Sequence, residues 1–127
     1  MTDNARILWI GNRHESGKVA GTIEKAGYEV LVAADLTAAL EILRNQRIDL
    51  IVLENETSCV QGELVAVRLK SIAHKVPILL LCEPLDSGAP QAFFVNLILS
   101  LKAGPELLLR AIHTLVPQES SSRKTGT

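Results

Sequence analysis

Ile48-Asp49-Leu50-Ile51-Val52-Leu53-Glu54-Asn55-Glu56 decides the fold: an apolar run that ends abruptly in carboxylates. Leu50 to Leu53 are apolar without a break, so the run lacks the alternation of a strand with one wet face. Such a strand suits the centre of a parallel sheet covered by helices on both sides. In open parallel sheets, ligands and chemistry gather just beyond the carboxyl ends of the strands. Glu54 falls at that edge and is the first candidate functional residue.

Outward from this strand, strands and helices alternate. Arg6 to Ile10 reads as a buried strand closed by the turn-favouring pair Gly11-Asn12. A helix is predicted from about Ser16 to Lys25, with Gly27 as its C-terminal cap. Tyr28 to Ala33 follows as a strand. A second helix starts after Asp35 as N-cap, with Leu36, Ala39, Leu40 and Leu43 as its apolar stripe. Beyond Glu54 a helix is predicted from about Gly62 to Ile72, with Leu64, Val65, Leu69 and Ile72 facing inward. Pro77 to Cys82 and Phe93 to Leu101 read as the last two strands. Pro105-Glu106 opens the final helix, through about Leu115. The polar segment 118–127 is expected to be a disordered tail behind a single domain spanning 1–117. This order implies an α/β fold, a doubly wound five-stranded parallel sheet in a flavodoxin-like (βα)5 three-layer sandwich.

Composition narrows the function classes. With 13 basic and 14 acidic residues, the chain has no field to steer nucleic acid, and no basic run interleaves with aromatics. Aromatics make up 3%, so the core is aliphatic. No stretch is long enough for a membrane span, and the polar N-terminus is not a secretory leader, so a cytoplasmic protein is expected. Cys59 and Cys82 lie too far apart for a CxxC motif and are expected to be reduced thiols, small fillers of the interior.

The chain resembles a receiver domain of the two-component response-regulator family, over roughly Arg6 to Val116. The resemblance rests on the rhythm of Ala34 to Leu43 followed by Ile48 to Leu53, and on Gly62 eight residues beyond Glu54. Pro77 before the fourth strand and Pro105-Glu106-Leu107-Leu108 before the last helix add to it. The family's chemistry needs an Asp nucleophile after the third strand and Mg²⁺ held by an acidic pair after the first. It also needs a Ser or Thr after the fourth strand and a Lys after the fifth.

The resemblance puts Glu54 at the phosphoacceptor position and Gly11 and Asn12 at the acidic pair. Cys82 takes the hydroxyl position, and Leu101 the lysine position, with Lys102 one place off. Every catalytic position is substituted. The resemblance therefore implies a pseudo-receiver in phosphorelay signalling that is not an enzyme, needs no cofactor and acts through protein contacts. Glu54 reads either as a fixed acidic stand-in for the phosphorylated state or as a strand-end residue paired with Arg13 or Lys102.

Two rivals remain. One is residual metal binding by Glu54, Glu56 and Asn12, or anion binding by Arg13 and Lys18. Another is a small catalyst using Cys82 or Glu54, for which no partnered base is evident, His14, His74 and His113 being scattered. The protein contacts of the pseudo-receiver reading are expected on the face of the last strand and the last helix. There Leu108, Ala111, Ile112 and Leu115 fill the inward stripe, and Leu107, Leu109 and Val116 are left over as a possible interface for a signalling partner or a second copy.

Overall fold

The structure, a computed structural model, describes residues 4–11, 15–55, 58–83 and 95–116. In chain order the elements are β1 (Arg6–Ile10), α1 (Glu15–Lys25), β2 (Glu29–Ala33), α2 (Leu36–Asn45) and β3 (Leu50–Asn55). They continue as α3 (Cys59–Ile72), β4 (Ile78–Cys82), β5 (Leu97–Ser100) and α4 (Pro105–Leu115). The five strands pair in parallel in the order β2-β1-β3-β4-β5. This is the doubly wound sheet expected of the sequence. The link from β4 to β5 and the tail from 117 onward lie largely outside the described residues.

The unbroken apolar run of β3 follows from burial on both faces. Leu50 and Val52 pack with Ile7, Trp9, Ile23, Leu108 and Ile112 on the side of α1 and α4. Ile51 and Leu53 pack with Leu8, Ile10, Ala39, Ala66 and Leu69 on the side of α2 and α3. Alternation is present in space but hidden in sequence, because each direction meets a helix layer.

Helix α2 starts as expected, with the Asp35 carboxylate accepting the Ala38 N–H at 2.9 Å. Helix α3 starts earlier than expected, at Cys59, because Ser58 is its N-cap and accepts the Gln61 N–H at 3.0 Å. Strand β5 is shorter than Phe93 to Leu101. Asn96 is tied to Ile78 twice, its N–H on the Ile78 carbonyl and its side-chain oxygen on the Ile78 N–H, both at 2.9 Å. At the other end, the N–H groups of Lys102 and Ala103 turn back onto Ser100.

Two helix faces depart from the periodicity. On α3 the residues against the sheet are Cys59, Gly62, Ala66 and Leu69, while Leu64 and Ile72 are exposed instead of inward. The cause is a close approach. A Cβ on Gly62 would stand 2.6 Å from Cδ1 of the fully buried Leu80, so Gly62 must face the strand at that point, and Leu64, two residues on, turns away. On α4, Val116 is buried and Leu109 half-buried against the core, so neither belongs to an outer apolar face. Of the three candidate interface residues only Leu107 is exposed.

The cysteines are the largest correction. Cys59 and Cys82 are joined in a disulfide, not reduced. Twenty-three residues apart in sequence, they sit at the start of α3 and the end of β4 with 5.1 Å between Cα atoms, within disulfide reach. The expectation that both would be buried fillers holds.

Candidate site at the β1/β3 edge

The sheet reverses its winding between β1 and β3, where a doubly wound fold opens a crevice at the strand ends. Ile10 is in register with Leu53, which brings Gly11 beside Glu54. A Cβ on Gly11 would lie 2.9 Å from Glu54 Cδ and 3.0 Å from Glu54 Cβ. Real Cβ contacts are longer, so the Glu54 side chain occupies the space that any side chain at position 11 would need. The Glu54 carboxylate is also held from below. Trp9 is buried on the same face of β1 as Gly11, and its indole N–H donates to Glu54 Oε1 at 3.0 Å. A buried indole N–H needs an acceptor, and a carboxylate is a strong one.

The other candidate residues do not converge on Glu54. Cys82 is in register with Asn55 and lies with Leu80 and Ile78 in the core on the α2/α3 side, bonded to Cys59. Strand alternation puts Glu54 with Leu50, Val52 and Trp9 on the opposite side. Leu101 is half-buried against the α1/α4 core and Lys102 is exposed on the following turn. Asn12, Arg13, His14 and Glu56 lie outside the described residues, as does the side-chain setting of Lys18. His74 and His113 are exposed, and His113 Nδ1 is 3.3 Å from the hydroxyl of Tyr28, which enters β2 at the sheet edge opposite the one where β3 ends.

Sequence reasoning missed three partners. Trp9 was detectable, because it is the chain's one tryptophan and shares Gly11's parity on the first strand. Ser100, whose hydroxyl donates to Glu83 where β4 and β5 end, is a polar residue in an apolar strand. Asn55 accepts the Ser58 N–H at 3.1 Å and so sets the entry to α3. A further group, Lys70, donates to the Val76 carbonyl at 2.7 Å, and burial pushes its pKa down.

No protein-family profile matches the chain, and no curated protein sequence matches it. Solved structures do. The chemotaxis response regulator CheY4 of Vibrio cholerae is 26% identical, with a TM-score of 0.76 over 90% of this chain and 100% of that one. A response regulator from Thermotoga maritima is 15% identical, with a TM-score of 0.76 over 89% of this chain and 98% of that one. A two-component response regulator from Clostridium difficile is 18% identical, with a TM-score of 0.75 over 88% and 95%.

The fold is that of a CheY-like receiver domain. This likeness supports a place in two-component signalling at the level of the fold. Among the described residues no helix is long and apolar enough to cross a membrane.

Proposed function

We propose that this chain is a receiver-like signalling module that works through protein contacts rather than phosphoryl transfer. One observation carries the reading: Glu54 fills the space over Gly11 and accepts the Trp9 indole N–H. An acid at position 11 and Glu54 in this pose exclude one another. Phosphoryl transfer depends on cations that neutralise the developing charge and on an acceptor placed in line with the donor. Here the acceptor position is engaged by the protein's own core.

The described residues at this edge do not by themselves make a Mg²⁺ site. Gly11 has no side chain, one Glu54 oxygen faces an N–H donor, and a hard cation takes oxygen ligands. Among the described residues no group of three or more acidic, His or Cys side chains stands ready to hold an ion. Glu54 then acts as a fixed acidic group. Its single charge is less than the roughly two of a phosphoryl group at neutral pH, so it imitates the phosphorylated state only in part.

Signalling receivers act on other proteins, and this chain does so through its outer surface, with Leu107 on α4 as the exposed remnant of the surplus read from the sequence. Incubation with acetyl phosphate or beryllofluoride and Mg²⁺ tests the reading. Intact mass should show no phospho-adduct, and amide shifts around Glu54 should stay fixed. A stoichiometric, Mg²⁺-dependent adduct overturns it.

A further inference from the structure

We infer that Cys59 and Cys82 form a reversible thiol–disulfide site that controls the first turn of α3, its reactant a low-molecular-weight thiol/disulfide couple. The inference takes the proposed function as its setting and names the input such a module would sense in place of a phosphoryl group. The two sulfurs join segments that converge at one sheet edge. Cys59 is the first residue of α3, four residues past Asn55 and the strand that carries Glu54. Cys82 is the last residue of β4 and in register with Asn55.

The chain holds two cysteines, so this pair is its one intramolecular option. The rest of α3 does not depend on the bond. Ala66 and Leu69 are fully buried, and Gly62 packs its backbone against Leu80. Reduction therefore releases an end rather than a helix. Local hydrogen bonds also tie that end: Gln61 N–H on Ser58 Oγ, Gly62 N–H on the Ser58 carbonyl and Ser58 N–H on Asn55 Oδ1. Helix ends are the segments that open at least cost. Such opening is needed, because Cys59 and Cys82 are 3% and 0% exposed.

The cysteines are not equivalent. Cys59 lies at the N-terminal end of a 14-residue helix, whereas Cys82 lies within a buried strand, so opening of the helix end exposes the Cys59 sulfur first. In the oxidising direction the Cys59 thiolate attacks a disulfide RSSR, forming a Cys59–SR mixed disulfide and expelling RS⁻. Cys82 gives its proton to RS⁻, attacks Cys59 Sγ and expels a second RS⁻, which takes a proton from water in equilibrium with the buffer. Overall two protein thiols and RSSR become one protein disulfide and two RSH, with two electrons transferred. The first turn of α3 carries Val60, and the second Leu64, both more than half exposed, so the redox state sets how firmly these two are presented.

The test uses the full chain in native buffer with reduced or oxidised glutathione, quenched by alkylation and read by intact mass and amide hydrogen exchange. Reduced glutathione without denaturant should give the doubly alkylated chain, and oxidised glutathione should reverse it. Exchange at residues 59–62 should rise by about tenfold or more on reduction, as expected for a released helix end, while β3 and β4 stay protected. The Cys59→Ser, Cys82→Ser double variant should match the reduced form in either buffer.

A disulfide that yields only in denaturant overturns the inference, as does reduction that unfolds the sheet or leaves the first turn unchanged. None of these readouts involves a phosphoryl donor or a partner. A phospho-adduct at Glu54 would thus remove the proposed function and leave the redox result standing, and an inert disulfide would do the reverse.

Discussion

Helices α3 and α4 are both rich in large aliphatic residues, yet they use them in opposite ways. On α4, Leu108, Ala111 and Ile112 are buried and only Leu107 is plainly exposed. On α3, Val60, Leu64, Val67 and Ile72 are all exposed, and the sheet is met by Cys59, Gly62, Ala66 and Leu69. The difference lies in the gap between helix and strand. Beneath α4 the space is filled by Leu108, Ala111 and Ile112, while α3 comes down onto Leu80 so closely at Gly62 that no side chain fits there. Hydrophobicity alone does not say which way a residue points, and the packing distance decides.

The sharpest way to break this comparison is to truncate one large residue on each helix. Ile112→Ala should cost about 2–5 kcal/mol, the range for emptying a packed core position. Leu64→Ala should stay within about 0.5 kcal/mol, as for other exposed sites. Urea unfolding with unchanged slope measures both. A loss at Leu64 close to that at Ile112 would mean that the outer face of α3 is covered in solution.

The disulfide is the second contrast between the two helices, because α3 is bolted to the sheet and α4 is held by packing. A cross-link spanning 23 residues should contribute about 3 kcal/mol by restricting the unfolded chain. The Cys59→Ser, Cys82→Ser variant should therefore unfold at lower urea, with a steeper dependence on denaturant as its unfolded state expands. Because small domains hold about 5–15 kcal/mol in reserve, the variant should remain folded at room temperature. An unchanged midpoint would show that the bond adds nothing to packing that is already complete.

How much of this was legible in the sequence follows the same division. Strand order and layers could be read, since the doubly buried run of β3 and the Asp35 cap are local signals with few alternative explanations. The facing of α3 could not, because its period is helical whichever side the small residues take, and only the Gly62–Leu80 contact breaks the tie. The disulfide was hidden for another reason. Separation along the chain carries no information about two residues that the crossover from β3 through α3 to β4 returns to one edge. At the candidate site, the substitutions at Gly11 and Glu54 were visible one by one. Their mutual exclusion was not, because it depends on the register of Ile10 with Leu53 and on an indole one strand over.

That indole gives the finest test, which concerns the two halves of the sheet edge. In the β1/β3 half the Glu54 carboxylate accepts a charge-assisted hydrogen bond from Trp9, and in the β4/α3 half a covalent bond joins Cys59 to Cys82. Trp9→Phe keeps most of the ring volume and removes the N–H donor to Glu54. The loss should be about 1.5–3 kcal/mol if Glu54 stays put with one partner fewer, since hydrogen bonds to charged groups fall in that range. It should be smaller if the half-buried carboxylate swings out to water. Pairing Trp9→Phe with Glu54→Gln in a double-mutant cycle separates the two, because only the coupling energy reports the contact. A coupling of about 1 kcal/mol or more is expected. A coupling near zero would mean that the indole does not hold Glu54 over Gly11, and the main support for a phosphorylation-independent site would go with it.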